Sequence, residues 1–335
     1  MMNKPYKPKH FRLPAGGVLP KDDAADIAPY VFNDRIAIAL DVALATNRPL
    51  LVSGNPGCGK SRLADAVAVA QGWGLLARTV TSRTRLETLT AEVDQLRRLN
   101  DAQARDGTST LKPDGYYLNP GILWWAFDPA GAARRGLAPK IADEYGVQLD
   151  HPGTRRDPPR GRKPGVVLLI DEIDKAEPDL PNDLLEPLDR RRFDLPDGFS
   201  THHPAGARTQ VQAPPAQRLH LLTIITTNGE RDLPQAFLRR CVLLEIDDPG
   251  ENDLVDIALK HFPTGDADRM RALAKLLLDF REKAQDLRVR PPGTAELLDA
   301  VQACEELKVP VSTEPDSVWS HLQRAILAKD PSLRA

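Results

Sequence analysis

The chain of 335 residues lacks several features that mark particular classes of protein. It has only three cysteines, Cys58, Cys241 and Cys304, and their spacing indicates neither a disulfide framework nor a metal site. No run approaches about 18 consecutive apolar residues, so the sequence predicts no membrane-spanning helix. The formal net charge is −2, so no overall field attracts nucleic acid or an anionic membrane.

The N-terminal segment also lacks the apolar centre that a signal peptide needs. We therefore expect a soluble, cytoplasmic protein, and we do not expect nucleic acid as its partner. Aromatic residues make up only 5% of the chain, but hydrophobic residues make up 41% and charged residues 27%. This is an ordinary globular balance, which provides enough apolar material for a sizeable core.

Changes in composition along the chain predict three parts. Residues 1–29 are rich in Pro, Lys and Gly and are predicted to form an extended arm. Residues 30–248 alternate apolar runs with helical patterns and predict an αβ domain, with loop insertions near 128–164 and 196–217. Residues 249–335 contain four helical patterns. The predicted fold class is α/β, a parallel sheet flanked by helices and followed by a small all-α lid domain.

Residues 54–61 read GNPGCGKS and match the G-x-x-x-x-G-K-[ST] pattern of a phosphate-binding loop. Its glycines let backbone N–H groups wrap around a phosphate, Lys60 can reach the β- and γ-phosphates, and the Ser61 hydroxyl can bind Mg²⁺. A buried strand is predicted before the loop, over residues 48–53, and a helix after it, over 62–70. The residues predicted to bind a nucleoside triphosphate are Gly54, Asn55, Pro56, Gly57, Cys58, Gly59, Lys60, Ser61 and Arg62.

An apolar run over residues 166–170 ends in two acids, Asp171 and Glu172. A continuous apolar run predicts a strand that is covered on both faces, and ligands bind at the carboxyl ends of such strands. We expect Asp171 to hold Mg²⁺, together with Ser61. We expect Glu172 to polarise the attacking water, because this role requires a carboxylate that is not committed to the metal.

A second buried strand, predicted over residues 219–228, ends in Asn228. Its amide is expected to contact the γ-phosphate and to orient the water, with Thr227 assisting; the alternative is an Asn that caps the strand and starts a turn. The segment LPQAFLRRC follows as a short helix that ends in Arg239 and Arg240. Arginine stabilises the charge of a transferring phosphoryl group, either within its own chain or on a neighbour.

Other segments carry structural predictions. Residues 30–46 and 84–103 have helical patterns, and the second is expected to pack on the core of its own domain, with a coiled-coil seam as the alternative. The aromatic segment PGILWWAF at 120–127 is expected to be core rather than a ligand platform. The basic segment 151–163 is expected to be a solvated loop, with a nucleic-acid or acidic-protein contact as the alternative. Cys58 is expected to be a passive small residue, the alternative being a thiol whose oxidation blocks nucleotide binding.

These elements, in this order, resemble the AAA+ ATPases, and the segments IDEIDKA, DLPNDLLEPLDRRRFDLP, TTN and LPQAFLRRC resemble the MoxR branch. The resemblance covers roughly residues 30–300. It implies ATP and Mg²⁺ as ligands and a homo-oligomeric ring, commonly hexameric, that holds each nucleotide between two subunits. Arg240 matches the arginine finger of the family, which would contact the γ-phosphate of the neighbour, and Arg239 is the alternative.

The chain departs from the MoxR pattern in two places. The position that matches the second-sensor arginine of the branch is Gly293, so Arg290 or, as a further alternative, Arg288 is expected to replace it. PGILWWAF resembles the PGP element of the branch, which normally runs almost directly into the acidic strand; here residues 128–164 intervene.

The sequence leaves three functions open, and the resemblance implies only the first of them. The first is a Mg²⁺-dependent ATPase that remodels or matures a protein client, often beside a partner with a von Willebrand factor A domain. The second is a nucleotide-gated switch or scaffold that hydrolyses ATP slowly, which the missing second-sensor arginine favours. The third is a motor or loader that acts on DNA, which only the basic segment supports.

Overall fold

A computed structural model of the protein describes residues 6–22, 27–103, 111–154, 156, 164–203, 206–214, 220–310, 312, 314 and 316–334. The chain packs into two compact units. The first contains Met1–Arg12, Ile36–Val52 and Val67–Leu244, and the second contains Leu13–Arg35, Ser53–Ala66 and Glu245–Ala335.

The secondary-structure elements alternate along most of the chain. The strands are β1 (Val18–Leu19), β2 (Tyr30–Val31), β3 (Leu50–Gly54), β4 (Gly74–Thr79), β5 (Ala91–Val93), β6 (Leu118–Pro120), β7 (Val166–Asp171), β8 (Arg192–Asp194), β9 (Thr201–His203), β10 (Gly206–Arg208), β11 (Gln210–Gln212), β12 (Leu221–Thr227) and β13 (Val242–Ile246). The α-helices are α1 (Asp34–Thr46), α2 (Lys60–Gln71), α3 (Leu86–Leu89), α4 (Gln95–Gln103), α5 (Ile122–Phe127), α6 (Pro129–Ala133), α7 (Pro139–Glu144), α8 (Leu180–Asp183), α9 (Leu185–Arg190), α10 (Gln235–Leu238), α11 (Glu251–His261), α12 (Ala267–Leu287), α13 (Thr294–Glu306) and α14 (Val318–Ile326). Short 3₁₀ helices span Ala15–Gly17, Asp114–Tyr117, Ile173–Lys175 and Pro331–Arg334.

The first unit is built around a five-stranded parallel sheet with the order β13-β3-β12-β7-β4. β7 pairs with strands on both sides, so that Val166 lies opposite Leu221 of β12 and opposite Gly74 of β4. All of β12 and the four central residues of β7 are buried. Strands covered on both faces need apolar residues on both, which explains their uninterrupted apolar runs. The predicted parallel α/β fold is confirmed.

The aromatic segment lies in the core, as predicted. Trp124, Trp125 and Phe127 on α5 are buried. The rings of Trp124 and Phe127 each lie 6.1 Å from the ring of Phe193 on β8, measured between centroids. Burying one such side chain contributes about 1.5–3 kcal/mol to folding, so α5 anchors the elements on this side of the sheet.

The prediction of one helix over residues 84–103 is wrong, because the segment is divided into α3, β5 and α4. The Thr90 hydroxyl donates to the Leu86 carbonyl, 2.9 Å away, at the point where α3 ends. β5 then pairs antiparallel with β6. Leu96 and Leu99 on α4 are 69% and 51% exposed, so the expected packing of the whole stripe on the core is also wrong. The helical period is present, but pairing with a distant strand overrides it.

Three smaller predictions differ in part from the structure. The helix predicted from Tyr30 begins at Asp34, because Tyr30 and Val31 pair with β1 instead. Within 128–164, where most residues are predicted to form a loop, the structure has the two short helices α6 and α7. Residues 196–217 contain β9, β10 and β11, and β11 pairs with β8. The basic segment 151–163 contains Arg156, which donates to the Trp73 carbonyl at 3.5 Å. Its other Arg and Lys residues, Arg155, Arg160, Arg162 and Lys163, lie outside the described residues.

The second unit ends in the four helices α11–α14, as the four helical patterns predict. Apolar side chains from all four form one cluster, which includes Leu254, Leu273, Leu297 and Trp319. No helix within the described ranges is long and apolar enough to cross a membrane.

A buried carboxylate on α1 holds the start of the N-terminal arm. Asp41, which is 5% exposed, accepts hydrogen bonds from the Tyr6 hydroxyl at 2.8 Å and from the backbone N–H groups of Lys9, His10 and Phe11 at 3.0, 2.5 and 2.8 Å. Burial acts to raise the pKa of Asp41, but the hydrogen bonds outweigh burial and lower the pKa to about 2. Residues 6–11 are therefore docked on the first unit.

We predict that Asp41→Ala releases this arm. Four donors lose a charged acceptor, so the free energy of unfolding at pH 7 should fall by about 2–4 kcal/mol, and trypsin should cleave after Lys9 about tenfold faster. The folded-state pKa of Asp41 is below its ordinary value of 3.8. The stabilisation is therefore fully present above about pH 4 and is lost as the pH falls toward about 2.

Denaturant titration and mass spectrometry of the tryptic fragments measure these effects. Asp34→Ala is the control, because Asp34 is an exposed acid at the start of the same helix and should change stability by at most about 1 kcal/mol. An arm that resists trypsin equally in Asp41→Ala and in the wild-type chain would contradict the docking role of Asp41.

Candidate functional site

The predicted phosphate loop joins β3 to α2 in the second unit. Gly54, Gly57 and Gly59 have φ angles of +147°, +83° and +97°, which residues with a side chain rarely adopt. The Lys60 ammonium donates to the carbonyls of Gly54 at 2.7 Å and Asn55 at 3.0 Å. The backbone is thus bent into a cradle that has Lys60 fixed at its end, as a phosphate site requires.

The helix after the loop favours the same ligand. α2 begins at Lys60, so the backbone N–H groups of its first turn, including that of Ser61, lie next to the cradle. Arg62 forms an exposed ion pair with Asp65 at 3.7 Å. Cys58 is half-buried, and burial raises the pKa of its thiol despite the opposing effect of Lys60. A protonated thiol reacts slowly, which supports the passive role expected for Cys58.

The N-terminus of α13 contacts the phosphate loop within the same unit. The backbone N–H of Ala295 donates to the Gly57 carbonyl at 3.2 Å. A Cβ atom at Gly293 would lie 2.7 Å from the Pro56 carbonyl oxygen, so no side chain fits there and no arginine can replace this glycine without a shift of the backbone. Arg290 is exposed, and one of its terminal nitrogens lies 3.8 Å from the carboxylate of Glu296.

The acidic strand β7 and its neighbour β12 form a second group of site residues, in the first unit. Asp171 is the last residue of β7, and its Oδ1 accepts a hydrogen bond from the Thr226 hydroxyl at 2.5 Å. The same hydroxyl accepts the backbone N–H of Glu172 at 2.9 Å. Thr226 is fully buried and joins the two predicted acids. Sequence reasoning emphasised Thr227, and only the alternation of side chains along β12 could have pointed to Thr226.

Glu172 has an unusual backbone and two side-chain partners. Its φ and ψ angles of 61° and 51° are left-handed, which costs a residue with a side chain about 1 kcal/mol. Lys175 donates to Oε2 at 2.7 Å, and the Asn228 amide approaches Oε1 at 3.3 Å. The hydrogen bond from Lys175 to the Glu172 carboxylate raises the pKa of Lys175. The predicted base and the predicted sensor amide are therefore brought together, and the exposed ion pair with Lys175 is weak enough to open.

Asp174 positions Asn228, a role that the sequence pattern did not predict. Its side chain is buried, and Oδ2 accepts the backbone N–H groups of Asn228 at 3.1 Å and Glu230 at 2.9 Å. Oδ1 is also buried and has no hydrogen-bond partner among the described residues. The Thr227 hydroxyl accepts the N–H of Gly229 at 3.0 Å, which favours a turn-forming role for it. The only sequence signal for Asp174 is its place after the two acids, in the segment IDEIDK.

The two arginines after α10 differ in their contacts. Arg240 is 47% exposed and its Nε donates to Asp189 at 2.7 Å, while Arg239 ends the helix. An exposed pair of this kind contributes at most about 1 kcal/mol, so Arg240 can exchange Asp189 for another anion. Arg288 ends α12 with a left-handed backbone.

The residues present fit the ligands that the sequence predicts. The glycine-rich loop with Lys60 suits a polyphosphate. Each unit by itself offers a hard oxygen of the kind that Mg²⁺ prefers, the Ser61 hydroxyl in the second unit and the Asp171 carboxylate in the first. The described residues contain no group of three or more His, Cys, Asp or Glu side chains that could hold a metal by themselves. A bound Mg²⁺ would therefore need phosphate oxygens and water to complete its coordination.

Comparison with protein families supports this description of the site. A family model described as an AAA domain of the dynein-related subfamily matches residues 49–241, a span that includes the phosphate loop, β7, β12 and the two arginines. A search of the curated proteins finds no match to the chain.

We predict that Thr226→Val loosens the acidic group. The substitution keeps the shape of the side chain but takes a donor from Asp171 and an acceptor from the Glu172 N–H. The free energy of unfolding should therefore fall by about 2–3 kcal/mol, measured by urea denaturation. Thr226→Ser keeps the hydroxyl and should lose at most about 1 kcal/mol. Equal losses in the two variants would contradict the bridging role of the hydroxyl.

Proposed function

Because the chain belongs to the AAA family, in its dynein-related subfamily, we propose that it is a ring-forming ATPase of the MoxR branch that remodels or matures a protein client. The observation that carries the proposal is the phosphate loop, where three glycines with positive φ and Lys60 form a polyphosphate cradle at the start of α2. The acids at the end of β7 supply the groups that hydrolysis needs.

The phosphate loop supplies the binding step. Two of the three N–H bonds of the Lys60 ammonium go to carbonyls of the loop, which holds the charge in place, and the third can donate to the β- or γ-phosphate. Ser61 and Asp171 would hold Mg²⁺, which, when bound, neutralises phosphate charge and orients the γ-phosphoryl group. Arg62 and Arg290 add positive charge, and Arg290 is the replacement proposed for the second sensor.

Glu172 is the base that we propose for hydrolysis. Its carboxylate is paired with Lys175 and lies beside the amide of Asn228, so one of its oxygens can accept a proton from water when the ion pair opens. The Asn228 backbone N–H is fixed by the buried Asp174, and this fixes the position from which the amide can orient the water or contact the γ-phosphate.

Ring assembly would bring the positive charge of Arg240 to the nucleotide of a neighbouring subunit. Arg240 is exposed, and its partner among the described side chains is Asp189, which supports a role on the nucleotide of a neighbouring subunit. In a closed homo-oligomer each subunit would offer its Arg240 to the next, and a hexamer is the size that the MoxR resemblance implies. A client with a von Willebrand factor A domain also rests on that resemblance.

One observation favours a second candidate function, a nucleotide-gated switch. The packing of Gly293 against Pro56 excludes the second-sensor arginine from its usual position, and this would slow hydrolysis. A switch would assemble with ATP and turn it over slowly even as a ring. The wild-type turnover rate in the experiment below therefore separates the two candidates.

We predict that Glu172→Gln binds Mg·ATP and loses at least about a hundredfold in turnover, because the amide cannot take a proton. The variant should sediment as a ring with Mg·ATP and as smaller species without it. The measurements are phosphate release and analytical ultracentrifugation.

Glu177→Gln is the matched control, because Glu177 is an exposed acid five residues further along and should leave turnover unchanged. Unchanged turnover in Glu172→Gln would overturn its catalytic role. A persistent monomer with bound Mg·ATP would overturn the ring.

A mixture of two inactive variants tests the role of Arg240. Lys60→Ala should lose nucleotide binding and Arg240→Ala should lose turnover. In mixed rings, the loop of an Arg240→Ala subunit can meet the intact Arg240 of a Lys60→Ala neighbour. An equal mixture should then recover activity at roughly a quarter of the interfaces, measured as phosphate release against mixing ratio. No recovery, in rings where an affinity tag on one variant also captures the other, would contradict action on the neighbour.

A further inference from the structure

Arg281 is a buried arginine in the middle of the lid helix α12. It is 7% exposed, and its guanidinium donates to two backbone carbonyls, from Nε to Pro292 at 3.0 Å and from Nη1 to Pro249 at 3.0 Å. Pro249 and Pro292 lie just before the N-cap glycines of α11 and α13, and the first hydrogen bonds of these helices go to the carbonyls of Gly250 and Gly293. Arg281 thus connects the segment before α11 with the segment before α13.

The segment after Pro292 lies directly on the phosphate loop. Gly293 packs so closely that an added Cβ atom would lie 2.7 Å from the Pro56 carbonyl oxygen. The Ala295 N–H donates to the Gly57 carbonyl at 3.2 Å, and Glu296 accepts the N–H of Gly293 at 2.9 Å, which fixes the first turn of α13. A shift of the Pro292 carbonyl would therefore move the start of α13, which contacts the loop at Pro56 and Gly57.

A second connection reaches the loop through Asp248. Its Oδ2 accepts a hydrogen bond from the Asn55 side chain at 2.6 Å, and its Oδ1 lies 3.9 Å from Nη2 of Arg281. Nη2 is buried and has no hydrogen-bond partner within the described residues. Asp248 thus stands between the buried guanidinium and Asn55. The two connections from Arg281 end two residues apart in the loop, at Asn55 and Gly57.

Stability of the lid does not by itself require an arginine at position 281. Burial lowers the pKa of Arg281, which shows that the charge costs energy in this environment, although Asp248 and Glu296 oppose the shift. A buried charge of this kind can often be replaced by an apolar side chain of similar size without loss of stability. What an apolar side chain cannot do is hold two carbonyls and a carboxylate in a fixed relative position.

We propose that Arg281 is a positioning residue for nucleotide binding, which sets the conformation of the phosphate loop through Pro292 and α13 on one side and through Asp248 and Asn55 on the other. The proposal rests on the proposed ATPase function. It also explains why position 293 is a glycine, since only a residue without a side chain lets α13 reach the loop.

The test is the affinity for Mg·ADP, measured by isothermal titration calorimetry, beside the unfolding midpoint without nucleotide. Arg281→Met should raise the dissociation constant about tenfold or more, because the loop loses charge-assisted hydrogen bonds that position it. Gly293→Ala should do the same by pushing α13 away from Pro56, and it tests the proposal if Arg281→Met fails to fold. Arg281→Lys, which keeps the charge and can reach one carbonyl, should recover part of the affinity.

Arg269→Met is the matched control on the same helix. Arg269 pairs with Glu305 at 3.2 Å within the lid, so its loss should move the unfolding midpoint and leave the affinity unchanged. Wild-type affinity in both Arg281→Met and Gly293→Ala would overturn the proposal, and so would equal weakening in the Arg269 control. If the wild-type chain fails to bind Mg·ADP, the proposed function fails as well. If the wild-type chain binds Mg·ADP and Lys60→Ala does not, nucleotide binding by the loop stands, and the Arg281 and Gly293 variants test only the role of Arg281.

Discussion

The parallel pairing of β7 with β12 is the constraint on which the acidic group depends. Ile170 lies opposite Ile225 in this pairing, which carries Asp171 to the level of Thr226. Because successive side chains of a strand point to opposite faces, a slip by one residue would take the Thr226 hydroxyl away from Asp171. The apolar residues on both faces of the two strands are buried, so core packing and the hydrogen bond from Thr226 to Asp171 depend on the same register.

The conformation of Glu172 follows from that alignment. Its left-handed backbone costs about 1 kcal/mol, and the hydrogen bond from its N–H to Thr226 offsets this cost. The carboxylate then lies between Lys175 and Asn228. Both contacts are weak, because the ion pair is partly exposed and the amide contact is long. A side chain held by weak contacts on a fixed backbone can change partners without rearrangement of the sheet, as a proton-accepting role requires.

The second unit contains the phosphate loop, whose shape depends on its own glycines, and the lid helices, which contact the loop from distant parts of the chain. The loop glycines have backbone angles that residues with side chains rarely adopt, so the cradle is specified by the residues that form it. The lid helices have their own apolar cluster, and the contacts of Gly293, Ala295 and Asp248 connect them to the loop. A change in the loop on nucleotide binding would therefore reach the lid through hydrogen bonds, and a shift of the lid would reach the loop by the same route.

The sequence by itself determined the phosphate loop, the buried strands, the four lid helices and the pair of arginines, because each depends on conformational preferences or apolar periods within a short segment. It also led to the prediction of one helix over residues 84–103, where only the partner strand β6 decides that β5 forms. Thr226, Asp174, Asp248 and Arg281 act through residues that are distant in the chain; Thr226 and Glu172, for example, are 54 positions apart. Only the tertiary structure could assign their roles, since no local pattern records which backbone groups a polar side chain will meet after folding.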